Sequence, residues 1–97
     1  MVKGIIIDTL DNVASLTEEG KKGEIFEYEL NGEKLSVRLK SDIPFGHKVA
    51  IRPIEMEGLI IKYGRAIGAA TEPIDPGAHV HTHNCAGLRG RGDLKGV

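Results

Sequence analysis

At 97 residues and a formal net charge of −1, the chain has room for one domain with a modest core, and no broad cationic face for nucleic acid is expected. Hydrophobic residues make up 40% and charged residues 28%, a soluble balance that argues against disorder. The single cysteine, Cys85, excludes an internal disulfide framework, and the apolar run Ile5-Ile6-Ile7 is too short for a signal peptide or a membrane span, so a cytoplasmic protein is expected.

In chain order, Gly4 to Asp8 is expected as a strand buried on both faces, and Val13 to Leu16 as a short strand before the polar turn Thr17 to Gly23. Glu24 to Leu30 alternates, with Phe26, Tyr28 and Leu30 on one face; Lys34 to Leu39 does the same with Leu35, Val37 and Leu39. Asn31-Gly32 between them predicts a two-residue hairpin, because a type I′ turn needs positive φ at both central positions. Ile43-Pro44-Phe45-Gly46 marks a turn before a strand at His47 to Ile51. Leu59 to Tyr63 and Ala66 to Ala70 are expected as strands around a turn at Gly64-Arg65. A turn at Pro73 to Gly77 precedes a last strand, His79 to His83. No stretch keeps helical spacing, and no internal repeat is evident, so the fold class is all-β, with irregular barrel-like or clip-like closure. Residues 1–86 form the expected domain. The segment 87–97, rich in glycine and arginine, is expected as a flexible tail or a partner-docking segment.

The chemistry concentrates in His79-Val80-His81-Thr82-His83-Asn84-Cys85, which holds three of the four histidines. Strand alternation puts His79, His81, His83 and Cys85 on one face. Imidazole is a ligand for zinc, iron, copper and nickel, so His79, His81 and His83 are candidate metal ligands. Same-face neighbours on a strand stand ~6.8 Å apart, and the first and third ~14 Å apart. One ion therefore takes two strand histidines, His81 the shared member, with His47 or another chain supplying a third, unless the strand bends. The competing reading leaves these histidines hydrogen-bonded on a half-exposed strand. Cys85 is more simply a small apolar residue. His47 and His81 are the candidate catalytic acid–base groups. Lys62 and Arg65, flanking Tyr63-Gly64, are candidate ligands for a substrate carboxylate, against a reading as solvated charges. No Ser-His-Asp arrangement, P-loop or dinucleotide fingerprint is present.

Three segments together resemble the altronate and galactarate dehydratases: Asp42-Ile43-Pro44-Phe45-Gly46-His47-Lys48-Val49-Ala50-Ile51, Ile61-Lys62-Tyr63-Gly64-Arg65-Ala66-Ile67-Gly68-Ala69-Ala70-Thr71, and Gly77-Ala78-His79-Val80-His81-Thr82-His83-Asn84. Asp11-Asn12-Val13-Ala14 is similar to the family's amino-terminal motif. Arg65 falls at a variable motif position, and Cys85 lies outside the motifs. The resemblance implies a small SAF-type domain of β-clip fold. It implies a role as the small, non-autonomous part of a hydro-lyase that converts sugar acids to 2-keto-3-deoxy acids. It also implies a divalent transition metal, Fe2+, and a larger catalytic subunit as partner. A similar two-subunit arrangement is that of (R)-sulfolactate sulfo-lyase.

Such an elimination needs a base for the α-proton, an electrophile for the enediolate and an acid or metal for the leaving group. The alternatives are a stand-alone module that binds metal or a small acid, and an assembly domain whose histidines only satisfy hydrogen bonds. No nucleic acid or membrane partner is expected; homo-oligomerisation of the isolated chain is compatible with its size.

Overall fold

In the computed structural model, residues 1–87 are described, and among them there is no helix. The strands are β1 (Gly4–Ile5), β2 (Val13–Leu16), β3 (Ile25–Leu30), β4 (Glu33–Arg38), β5 (Lys48–Ala50), β6 (Leu59–Lys62), β7 (Arg65–Ala70), β8 (His79–Val80) and β9 (Cys85–Gly87). All pairings between them are antiparallel. They form a four-stranded sheet in the order β1-β2-β5-β8, the hairpin β3-β4, and a three-stranded sheet β6-β7-β9. The all-β expectation is met. Among the described residues, no helix is long and apolar enough to cross a membrane.

The β3–β4 hairpin follows its sequence signal. Asn31 and Gly32 take φ of 57° and 80°, and the register pairs Phe26 with Val37 and Tyr28 with Leu35, so the apolar alternation of both strands falls on one face. The β6–β7 hairpin uses the same turn, but at Tyr63 (φ 58°) and Gly64 (φ 73°), one residue earlier than expected. A tyrosine at positive φ carries no sequence signal. It is held there by Asp11, which is 1% exposed and accepts the Gly64 N–H at 2.8 Å. Asn12 completes the attachment: its side chain donates to Leu59 O at 2.8 Å and accepts from Ile61 N–H at 2.7 Å. Burial alone would raise the Asp11 pKa. The backbone N–H groups of Gly64, Asp8, Tyr63 and Ile7 outweigh it and hold the carboxyl below its usual range.

Although no repeat is evident in the sequence, the backbone repeats one unit three times. A buried isoleucine in a β-bridge (Ile43, Ile54, Ile74) leads into a tight turn and then into β5, β6 or β8. In each turn the third residue after the isoleucine has positive φ: Gly46 at 82°, Glu57 at 68°, Gly77 at 91°. That residue's N–H donates to the end of another strand, at Leu16, Ala70 or Ala50, with N···O distances of 2.9, 2.7 and 2.7 Å. The same strand end returns its own N–H to the next carbonyl, of His47, Gly58 or Ala78, at 3.0, 2.8 and 2.9 Å. Only the isoleucine recurs as a residue type in all three copies. The rest of the repeat is backbone geometry, which different side chains can occupy.

Two cores flank the four-stranded sheet, as its alternation requires. Ala14, Leu16 and Val49 join Val2, Phe26, Leu39, Ile43 and Ile51 on one side; Val13, Ala50 and Val80 join Ile54, Ile60, Ala70 and Ile74 on the other. Three sequence expectations need correction. The Gly4–Asp8 strand is only β1, at a sheet edge, with Ile5 and Ile7 exposed by 45% and 65%, because Ile7 and Asp8 turn their N–H groups to the Asp11 carboxylate instead of a strand. The last expected strand stops at Val80, and β9 follows it. Gly87, expected to open the tail, closes β9; the remainder of that segment, 88–97, lies outside the described residues.

The turn copies generate a paired prediction. A Cβ on Gly77 would stand 2.0 Å from the Arg38 carbonyl oxygen, so Gly77→Ala lowers unfolding free energy by more than about 1 kcal/mol in urea titration. Glu57→Gly moves in the opposite direction, by up to about 1 kcal/mol, since it relieves a non-glycine residue of positive φ.

Candidate metal centre

His47 closes the first turn, where its N–H donates to Pro44 O at 3.1 Å, and so enters β5 at a fixed point. The equivalent positions in the other two copies are Gly58 and Ala78. β5 pairs with β8 so that Lys48 opposes Val80 and Val49 opposes His79. Extending that register by one residue sets His47 against His81, and their rings stack with centroids 4.1 Å apart at an interplanar angle of 22°.

Beyond Val80 the chain bends, and Asn84 is what bends it. Asn84 is 3% exposed. Its amide donates to His79 O at 2.8 Å and accepts from His81 N–H at 2.9 Å, while its own N–H reaches His81 O at 3.1 Å. The bend cancels the strand spacing that would have spread the imidazoles ~7 Å apart. One ligand atom each from His47, His79 and His81 now lies within 4.8 Å of the others. His47 Nδ1 and His79 Nε2 are 2.9 Å apart.

The expected single face of four side chains does not form, because residues 81–84 are turn, not strand. His83 is exposed and tilts against His79, with centroids 5.3 Å apart, outside the group of three. Cys85 starts β9 and packs half-buried against the second core, where burial pushes its thiol pKa up. Lys62 and Arg65 pair across the base of the Tyr63-Gly64 turn. That turn docks at the Asp11-Asn12 end of β2, whereas His47 binds Leu16 at the other end. The structure does not bring these two cations to the histidines. The Lys62 ammonium instead lies 4.9 Å from the Tyr63 ring centroid.

The electrostatics disfavour protonation of His79 and His81. Burial first, then the neighbouring His47, His83, His81 and Lys48, lower the His79 pKa to about 4. His81 is lowered in the same way, by burial, His47, Lys48 and His83. An imidazole must be neutral to ligate a metal, and the lowered pKa of His79 and His81 favours that form. The contact between His47 and His79 is compatible with two states: one ring donating N–H to the other, or both lone pairs directed at one ion. The ligand atoms of all three histidines lie within 4.8 Å of one another, and imidazole is a common ligand of divalent transition metals. The donor set therefore fits a divalent transition metal. Sequence reasoning named these histidines but gave Asn84 and Lys48 no role. The signal for Asn84 was available: an Asx residue three positions after His81 predicts a side-chain–backbone turn.

An all-β domain carrying three convergent, part-buried imidazoles at one sheet end is thus the class of protein that fold and site define. The chain belongs to the altronate/galactarate dehydratase SAF domain family, whose model matches residues 2–87. It is 39% identical over 80 residues to the altronate dehydratase of Bacillus subtilis, covering 82% of this chain and 15% of the relative. It is 48% identical over 46 residues to the (2R)-sulfolactate sulfo-lyase subunit alpha of Paracoccus pantotrophus, covering 47% of this chain and 69% of the relative. The altronate dehydratase of Escherichia coli matches at 39% over 80 residues, again 15% of its length. The chain thus spans a small part of the dehydratases it matches and about two thirds of the Paracoccus sulfo-lyase subunit.

Two outcomes test the site. Asn84→Asp loses the amide donor to His79 O and lowers Co2+ or Zn2+ affinity about 10- to 100-fold by calorimetric titration. In metal-free buffer, His79 takes up protons more readily in the unfolded chain (pKa near 6.5) than in the folded one (about 4). Stability is therefore full above pH 6.5 and falls as pH drops towards 4, and His79→Gln flattens that slope in pH-resolved thermal unfolding.

Proposed function

We propose that this chain is the small SAF portion of a lyase that eliminates water from sugar acids such as altronate or galactarate, and that it acts together with a larger catalytic portion. The observation that carries the reading is the convergence of His47, His79 and His81 in a domain of the dehydratase family. All three histidines are part-buried. In this reading the larger portion completes the surroundings of the substrate, in keeping with the dehydratases being several times longer than the match.

In this reading His47, His79 and His81 hold a divalent ion, Fe2+ by family resemblance. When bound, that ion supplies Lewis acidity to a substrate oxygen. Burial, the neighbouring rings and Lys48 disfavour protonation of His79 and His81, and Asn84 fixes the backbone that carries both. His83, exposed beside them, can exchange a proton with the leaving group. A cytoplasmic setting belongs to the same proposal. A second reading, the corresponding part of a sulfolactate sulfo-lyase, is favoured by the 48% identity to a subunit of comparable size. Both reactions are eliminations next to a carboxylate and differ in the leaving group.

The test is to isolate the tagged chain with its natural partner and to assay 2-keto-3-deoxy acid formation from altronate and galactarate beside sulfite release from sulfolactate. The expected result is one dominant activity that is abolished by chelation, restored by Fe2+, and lowered at least ~100-fold by His81→Ala. A complex that turns over a sugar acid equally well after chelation, or with His81→Ala, overturns the metal assignment.

A further inference from the structure

Away from the histidines, a cleft of about 470 Å³ is lined by Lys22, Gly23, Arg38, Leu39 and Lys40. That volume falls in the range of small-molecule sites. Three cations and no acid line it, in a chain whose net charge is −1.

Backbone contacts fix its walls. Gly23 N–H donates to Leu39 O at 2.8 Å, and Lys40 N–H donates to Gly77 O at 2.9 Å. Arg38 Nη1 donates to Gly23 O at 2.9 Å, which holds the guanidinium across the two walls and leaves most of its five N–H groups for a ligand. Three acids lie close by: Glu24, Asp42 and Asp75; Glu24 Oε1 accepts the Lys21 backbone N–H at 2.7 Å. Asp42 Oδ1 accepts the Lys22 backbone N–H at 2.8 Å. Asp75 meets Lys40 Nζ at 3.5 Å, with both ends more than half exposed, a weak pair. Among the described residues, Lys22 and Arg38 form no ion pair.

Like charges around one opening repel, and a bound anion removes that repulsion. An arginine beside two lysines offers a bidentate fork and two point charges, a match for a small dianion. The buried Leu39 and the alkyl stems of the cations give the cleft an apolar lining for the ligand's carbon body.

We propose that this cleft is a binding subsite for small dianions, dicarboxylates or phosphate monoesters, independent of the histidine cluster. The probes are galactarate and inorganic phosphate, titrated into the 15N-labelled 97-residue chain at constant ionic strength. The expected result is saturable amide shifts centred on Gly23 and Arg38 to Lys40. Arg38→Gln weakens the binding about tenfold, the worth of one charge-assisted hydrogen-bonded contact, and His81→Ala leaves it unchanged. Lys22→Gln is the second variant: its side chain is exposed and makes no hydrogen bond among the described residues, so its weakening of binding cannot come from misfolding. Tighter galactarate binding assigns the site to carboxylates, and tighter phosphate binding to phosphate esters. Shifts that are absent, that sodium chloride reproduces, that centre on the histidines, or that only an acidic polypeptide elicits overturn the proposal.

Discussion

The structure depends on a reciprocal pair of backbone hydrogen bonds, used three times, in which a tight turn and a distant strand end each donate to the other. A chain of this size buries too little apolar surface to order long loops by packing alone. The clamps do that work locally. They join Leu16 to the turn before β5, Ala70 to the turn before β6, and Ala50 to the turn before β8. Because β5 is both a clamped strand and the strand that follows a clamping turn, fixing one unit fixes the next. His47 and His79 enter the structure through two of these units, so the site's geometry is inherited from the scaffold.

The histidine cluster runs against the local preferences of its residues. Burial, then the neighbouring imidazoles and Lys48, lower the pKa of His79 and His81. A fold with no use for the arrangement could relieve it by changing a single histidine. Here the crowding is maintained by Asn84, a buried amide with both of its polar ends committed to the backbone on either side of Val80. Perturbed groups held by a satisfied buried network are the physical profile of a functional site.

The site and the second hairpin lie at opposite ends of the domain's second strand. His79 lies in β8, His47 directly precedes β5 and His81 directly follows β8, while Asp11 and Asn12 secure the β6–β7 hairpin at the opposite end of β2. Lys62 and Arg65 travel with that hairpin, which is why a sequence motif places them near the histidines in order along the chain but the fold does not in space.

The amino-acid sequence by itself determined the all-β class, the Asn31-Gly32 hairpin with its two apolar faces, and the identity of the imidazole-bearing residues. These are local properties: strand alternation has a period of two, and a turn type follows from which residues tolerate positive φ. The Tyr63-Gly64 turn was misplaced by one residue because its driving force is the carboxylate of Asp11, more than fifty residues away in the chain. The threefold turn unit was invisible because its signal is hydrogen-bond geometry with almost no shared residues. Alternation alone would have spread His79, His81 and His83 along one strand face. Only the tertiary structure decided that His47 joins His79 and His81 while His83 stands aside, since that depends on the β5–β8 register and on where the Asn84 amide ends the strand. Both are long-range or buried interactions, whose outcome is set when the chain packs and not by the order of its residues in any one window.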